Sequence, residues 1–183
     1  MFRKLILIIL PYLLSISCNQ NIYRSNLQVS NFSDSTINKI IILKDSYSVI
    51  KSLGNIDSLV NESDTASPDI YFYNISKTEY LRMKKWYGDG ANVFKIFEVG
   101  KSKSLPKSIP ILNSDFINFN TESGVKIGMK KSDFLQIKSK FTYVEKESKD
   151  LTILNYSDGE LYNATYYFKN NLLIKFEFGY SYP

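Results

Sequence analysis

The most constraining feature of this sequence is a pair of alternating apolar and polar runs near its C-terminus. In the first run, residues 162–168, every second residue is aromatic or alanine. In the second run, residues 174–180, Ile, Phe, Phe and Tyr alternate with Lys, Glu and Gly. A period of two places the apolar side chains on one face of a β-strand. Because Lys169-Asn170-Asn171 is typical of a tight turn, the sequence predicts an antiparallel hairpin.

Two short amphipathic helices are predicted, one before each strand-rich half of the chain. Residues 44–53 and residues 131–140 align without a gap, and both carry apolar residues at helical spacing. Asp45 and Ser132 stand at the helix starts, where a side-chain oxygen can accept from free backbone amides. The residues of the first helix expected to face a sheet are Tyr47, Ile50 and Leu53. Further strands are predicted at residues 69–73, 79–87, 92–99 and 152–156.

The order of these elements predicts the fold class and the domains. We expect an α+β fold of two similar units, each a short helix packed on an antiparallel sheet of three to four strands. The first unit covers residues 37–100 and the second covers residues 111–183, with residues 101–110 as a Pro- and Lys-containing linker. Phe-Glu-Val-Gly at residues 97–100 is echoed by Phe-Glu-Phe-Gly at residues 176–179, which favours a repeat.

The composition excludes several classes of protein. The 183 residues include no His, which excludes Ser-His-Asp and Cys-His nucleophile systems and most zinc sites. The single Cys excludes an intramolecular disulfide. With 44% apolar residues the chain has ample material for a core, which packing alone must hold together. We expect no catalytic activity, no cofactor and no metal.

The first eighteen residues have the order of an export signal. Arg3 and Lys4 precede an uncharged apolar run that is shorter than the about 20 residues needed to cross a bilayer as a helix. Leu-Ser-Ile-Ser-Cys at residues 14–18 resembles the lipobox of bacterial lipoproteins. The resemblance implies that residues 1–17 are a signal peptide and that Cys18 carries lipid in a bacterial membrane, with the outer membrane favoured. The alternative is an ordinary secretory signal, which would leave Cys18 as a buried thiol.

A polar segment follows the predicted lipid anchor. Residues 18–36 are dominated by Asn, Ser and Gln, which bury too little apolar surface to offset the entropy of ordering. We therefore expect a flexible tether. Removal of the signal peptide takes away two of the 23 basic residues, so the formal charge falls from +5 to +3. Because no more than two basic residues are consecutive, nucleic acid is not an expected partner.

The residues that lead into the second predicted helix resemble a motif found in known protein families. Residues 124–134 read Gly-Val-Lys-Ile-Gly-Met-Lys-Lys-Ser-Asp-Phe. This segment resembles small bacterial envelope lipoproteins of the small-protein-A type and the beta-lactamase-inhibitor-like proteins. The resemblance, which covers residues 124–141, implies tandem helix-plus-sheet repeats with an aromatic-rich binding face. It implies protein binding by a rigid scaffold without catalysis.

The aromatic residues are the candidates for binding. Trp86 and Tyr87 precede the Gly-Asp-Gly turn at residues 88–90, and Trp and Tyr are enriched in binding hot spots. The alternative is that most aromatic residues are core residues under the two helices. The full candidate set is Tyr71, Tyr73, Trp86, Tyr87, Tyr166, Tyr167 and Tyr180.

The sequence favours a membrane-anchored bacterial lipoprotein that acts as a non-catalytic binding or scaffold module in the cell envelope. Its expected partner is a protein or a saccharide. One alternative is an envelope hydrolase, which a deep cleft with two facing carboxylates would support. Another is a secreted eukaryotic glycoprotein, because Asn-X-Ser/Thr sequons occur at Asn31, Asn61, Asn74, Asn155 and Asn163.

Overall fold

A computed structural model of the protein describes four segments of the chain, residues 33–56, 69–85, 90–105 and 111–181. All of them belong to one compact unit that covers residues 31–183. The predicted signal peptide, Cys18, most of the predicted tether, Trp86 and Tyr87 lie outside the described residues. No helix in the described segments has the length and apolar character needed to span a membrane.

The described residues form ten strands and two α-helices. Two short strands, β1 (Thr36–Ile37) and β2 (Ile41–Ile42), pair with each other before the helix α1 (Ser46–Leu53). The other helix, α2, spans Lys131–Ile137. The remaining strands are β3 (Asp69–Tyr73), β4 (Glu79–Lys84), β5 (Ile96–Lys101), β6 (Leu112–Asn113), β7 (Val144–Ser148), β8 (Leu151–Ser157), β9 (Tyr162–Lys169) and β10 (Leu172–Tyr180).

These eight strands form one sheet in the order β6-β3-β4-β5-β10-β9-β8-β7. Every neighbouring pair is antiparallel except β3 and β6, which are parallel. The prediction of an α+β fold with two separate helix-plus-sheet units is therefore wrong. Strand β5, expected to end the first unit, pairs along its length with β10, expected to end the second. The pairing satisfies backbone groups that two separate sheets would each leave free at an edge.

The core lies on one face of the sheet, which we call the inner face. Phe134 of α2 packs against this face, with ring centroids 4.5 Å from Tyr166 and 5.2 Å from Phe168. Phe97 and Phe178 meet edge to face across the β5–β10 pair, at 5.8 Å. The core is thus continuous across the seam between the two halves of the sheet, and it could not be divided between two independent units.

The C-terminal hairpin is confirmed, with one shift of register. Asn170 and Asn171 both have positive φ, 50° and 61°, as a tight hairpin turn between twisted strands requires. In β10 a bulge lies between Leu173 and Lys175, so Leu173 is buried and Ile174 is turned away from the core. A bulge adds one residue to a strand and re-aims the side chain there, which simple alternation cannot predict.

The two helix starts differ from each other. Asp45 caps α1 as predicted, since its Oδ1 accepts from the Tyr47 amide at 3.0 Å. Ser132 does not cap α2, because Lys130 occupies the cap position and the Ser132 hydroxyl donates to Asp133 instead. The prediction that Tyr47 and Ile50 of α1 face the sheet is also wrong. They are 71% and 45% exposed, and the buried helix residues are Ser48 and Val49.

Candidate functional site

The face of the sheet opposite α2, called the outer face here, carries a row of polar side chains. Strand pairing places one residue from each of six adjacent strands side by side in this row. The alternation of side chains in each strand turns them away from the core. The row runs Tyr71, Arg82, Glu98, Glu177, Thr165 and Asn155.

Glu98 of β5 is the centre of a polar network on the outer face. The residue is only 6% exposed. The Tyr80 hydroxyl donates to Glu98 Oε1 at 2.6 Å, and Arg82 Nη1 donates to Glu98 Oε2 at 3.2 Å. Lys175 Nζ lies 3.5 Å from the same Oε2. A buried carboxylate needs such donors, so the network holds Glu98 ionised in a fixed position.

Glu177 of β10 faces Glu98, because the two residues are paired in the β5–β10 ladder. Arg82 Nη1 lies 3.2 Å from Glu98 Oε2 and 3.9 Å from Glu177 Oε2, so one guanidinium lies near both carboxyl groups. Burial together with the charge of Glu98 raises the pKa of Glu177. Burial also acts to raise the pKa of Glu98, but the Tyr80 hydrogen bond and two neighbouring positive charges outweigh it, and the pKa is lowered. Between these two pKa values the pair holds one proton, which resides on Glu177.

The carboxyl pair can hold a proton, but the oxygens of Glu98 are already occupied by Tyr80, Arg82 and Lys175. Glycoside hydrolases hold their two carboxyl groups at least about 5 Å apart, so that a scissile bond fits between them. Here Arg82 Nη1 lies within 3.9 Å of an oxygen of each carboxyl group, and Glu98 is already engaged by Tyr80, Arg82 and Lys175. The geometry therefore supports a structural and electrostatic role for the pair.

A groove lies next to this network, at the end of the outer face where β5 leaves the sheet. Its volume is about 610 Å³. Four lysines line it together with apolar and aromatic residues, and none of the described residues in its lining is acidic. We call it the lysine groove. Its lining is Tyr80, Lys101, Lys103, Ser104, Leu151, Tyr167, Lys169, Ile174 and Lys175.

The four lysines of the groove are not equally available to a ligand. Lys101 and Lys103 are exposed and form no ion pair with any described residue. Lys169 pairs with Asp150 at 3.1 Å in an exposed ion pair of little strength. Lys175 is the most constrained, since its ammonium interacts with Glu98 and also lies 4.4 Å above the ring of Tyr167.

The structure separates the predicted aromatic candidates. Tyr71, Tyr73 and Tyr167 are partly exposed on the outer face, whereas Tyr166 is buried under α2. Tyr180 packs on the inner face, where its ring lies 5.6 Å from Tyr162. Trp86 and Tyr87, the preferred binding candidates, lie outside the described residues.

The local sequence pattern does not indicate the lysine groove. Lys103 lies in the 3₁₀ turn after β5, whereas the other three lysines lie on β5, β9 and β10. Only the long-range pairing of β5 with β10 brings Lys101 and Lys103 next to the C-terminal hairpin. The one available signal was the echoed Phe-Glu motif at residues 97–100 and 176–179. That motif marks the seam of the sheet, where its two glutamates meet.

Two other site expectations concern metals and glycans. Among the described residues, no three His, Cys, Asp or Glu side chains converge as metal ligands would. The sequon at Asn74 is a poor glycan acceptor, because Asn74 is 2% exposed and its Nδ2 donates to the Ile117 carbonyl at 2.9 Å. Comparison of the chain with known protein families, curated proteins and solved structures found no match.

The glutamate pair predicts opposite results for two isosteric substitutions. Glu98→Gln removes the charge that two cations contact, and we expect it to lower the free energy of unfolding at pH 7 by about 1–3 kcal/mol. Glu177→Gln preserves a donor towards Glu98 and does not ionise, so we expect it to raise the free energy of unfolding at pH 7. Urea unfolding of the two variants beside wild type measures the difference.

The same pair predicts the sign of a pH effect. Because the pKa of Glu177 is raised on folding, its contribution to stability is complete below the ordinary value of 4.5 and is lost as the pH rises through the folded pKa. Glu98, whose pKa is lowered, contributes above 4.5 and loses its contribution as the pH falls through the folded pKa. Relative to wild type, Glu177→Gln should therefore gain stability as the pH rises above 4.5. A parallel pH profile for both proteins would contradict the shared proton.

Proposed function

We propose that the protein is a lipid-anchored, non-catalytic binding module of a bacterial cell envelope. Cys18 would attach it to the membrane, and the lysine groove on the outer face would contact a protein or saccharide partner. The anchor is supported by the order of basic residues, apolar run and Cys in residues 1–18. The binding role is supported by the groove.

The observation that carries the binding role is the lining of the lysine groove. Four cations, and no acid among the described residues, line a partly apolar groove with a volume of about 610 Å³, which lies within the range of ligand sites. Lys169 and Lys175 stand on β9 and β10, which are hydrogen-bonded to neighbours on both sides. A rigid sheet holds such groups in place before a ligand arrives and so reduces the entropic cost of binding.

The lipid anchor predicts a defined chemical form of the mature chain. Mass spectrometry of the membrane-extracted protein should show an N-terminal peptide that begins at Cys18 and carries acyl groups. Cells fed labelled palmitate should label the wild-type protein and the tether variant Ser25→Ala equally, and should leave Cys18→Ala unlabelled. A mature N-terminus at any other residue, or label in Cys18→Ala, would refute the anchor.

A further inference from the structure

We propose that the lysine groove binds an extended acidic peptide segment with a central apolar side chain. This inference rests on the proposed binding function and specifies the class of partner. Carboxylates of the peptide contact the ammonium groups of Lys101, Lys103 and Lys169. The apolar side chain packs on Leu151 and Ile174 in the floor.

Charge complementarity favours an anionic ligand. Four lysines line one groove, and no carboxylate among the described residues belongs to its lining. Lys101 and Lys103 are exposed, and no carboxylate of the described segments forms an ion pair with either of them. Lys169 and Lys175 are paired with Asp150 and Glu98 outside the lining, so the charge that attracts an anionic ligand comes mainly from Lys101 and Lys103.

The floor of the groove favours an aliphatic side chain over a sugar. Sugar rings bind by stacking on exposed aromatic faces, but Tyr80 is only 2% exposed and its ring packs across Gly100. One face of Tyr167 is occupied by the ammonium of Lys175. Ile174 is different, because the β10 bulge turns this side chain out of the core and into the groove.

The length of the groove favours an extended peptide. Its lining residues come from five adjacent strands, in the order β4, β5, β10, β9 and β8. At about 4.8 Å between neighbouring strands, the lining extends over roughly 19 Å. An extended chain rises about 3.3 Å per residue, so a segment of about six residues spans the groove.

Fluorescence anisotropy with labelled hexapeptides tests the proposal on the full chain held in nanodiscs of zwitterionic lipid. The probe peptide has acidic residues on both sides of a central Leu, and matched peptides carry Gly for Leu or Gln for the acidic residues. We expect the probe to bind at least about 10-fold tighter than either matched peptide, with binding that weakens as salt increases.

The charge-reversal variant Lys101→Glu/Lys103→Glu should weaken probe binding at least about 10-fold. Its matched control is Lys51→Glu/Lys140→Glu, which has the same net charge but changes exposed lysines on the helix side of the sheet. The control should bind within about twofold of wild type, and circular dichroism should show that both variants are folded.

Three results would overturn the peptide assignment. These are equal binding of all three peptides, equal weakening by both double variants, and tighter lysine-dependent binding of an anionic oligosaccharide. The oligosaccharide result would leave the proposed binding function intact and change only the ligand class. If no peptide or oligosaccharide binds with dependence on Lys101 and Lys103, the binding function of the groove fails as well.

Discussion

Asp34→Asn should lower the free energy of unfolding by about 3–5 kcal/mol, because it removes one partner of a buried ion pair. Asp34 is 2% exposed, and its Oδ2 lies 3.0 Å from Nζ of Lys138, which is buried at the C-terminal end of α2. The same carboxylate accepts from Ser123 Oγ at 2.7 Å and from the Tyr166 hydroxyl at 3.1 Å. Asn has the same shape but leaves the ammonium without this counter-charge.

Two controls separate this effect from a general sensitivity to substitution. Adding Lys138→Met to Asp34→Asn removes both charges and should recover much of the loss, since buried pairs can often be replaced by apolar groups. In the exposed pair of Lys169 and Asp150, Asp150→Asn should cost less than about 1 kcal/mol. Denaturant midpoints at constant slope measure all four proteins. A similar small loss for Asp34→Asn and Asp150→Asn would contradict the buried network.

The location of this ion pair relates it to the proposed anchor. The predicted tether extends to residue 36, yet Asp34 is already buried in the fold. Immediately after it, the carboxylate of Glu122 accepts from the backbone amides of Ser35 and Thr36, at 2.6 and 3.0 Å. A pull from an N-terminal membrane anchor would reach the domain here. The ion pair of Asp34 with Lys138 and the hydrogen bonds from Ser35 and Thr36 to Glu122 are therefore placed to resist detachment of β1 from the fold.

Local sequence pattern was enough to predict several strands but not their arrangement. Strand β3 was predicted with its observed bounds, and the buried side of β9 follows from alternation within eight residues. The pairing of β5 with β10 joins residues far apart in sequence. The side-chain pattern of each of these strands is compatible with several other strands as its neighbour in a sheet. Pattern alone therefore could not distinguish one sheet of eight strands from two smaller sheets.

The candidate site could not be predicted from local sequence pattern for the same physical reason. Lys101 and Lys169 are ordinary surface residues in the sequence, and they become parts of one groove only when β5, β10 and β9 lie side by side. Ile174 was assigned to the core because a single-residue bulge reverses the side-chain pattern without a signal in composition. Asp34 was predicted to lie in the tether because its neighbours in the sequence are polar. Nothing in that local pattern indicates its buried ion pair with Lys138.

The second large effect is expected where β5 pairs with β10. Replacing Gly179 there, as Gly179→Ala, should lower the free energy of unfolding by about 2–6 kcal/mol. Gly179 has a φ of 147°, a backbone conformation that costs other residues about 1–3 kcal/mol. A Cβ at this position would overlap the Lys95 carbonyl oxygen and lie 2.8 Å from the Cα of Ile96. Overpacking adds about 1–3 kcal/mol, because only a separation of the two strands relieves it.

Gly159→Ala is the matched control for this prediction. Gly159 also has a positive φ, 82°, but a Cβ there would have no atom within 4 Å. Its cost should be limited to about 1–2 kcal/mol of left-handed strain. The Gly179→Ala protein should also lose protection from amide hydrogen exchange first along β5 and β10, since the overlap acts on that pair. If both variants lose the same stability, close backbone approach at the seam is not what requires glycine. Loss of protection elsewhere before the seam would likewise show that β5 and β10 do not hold the two halves of the sheet together.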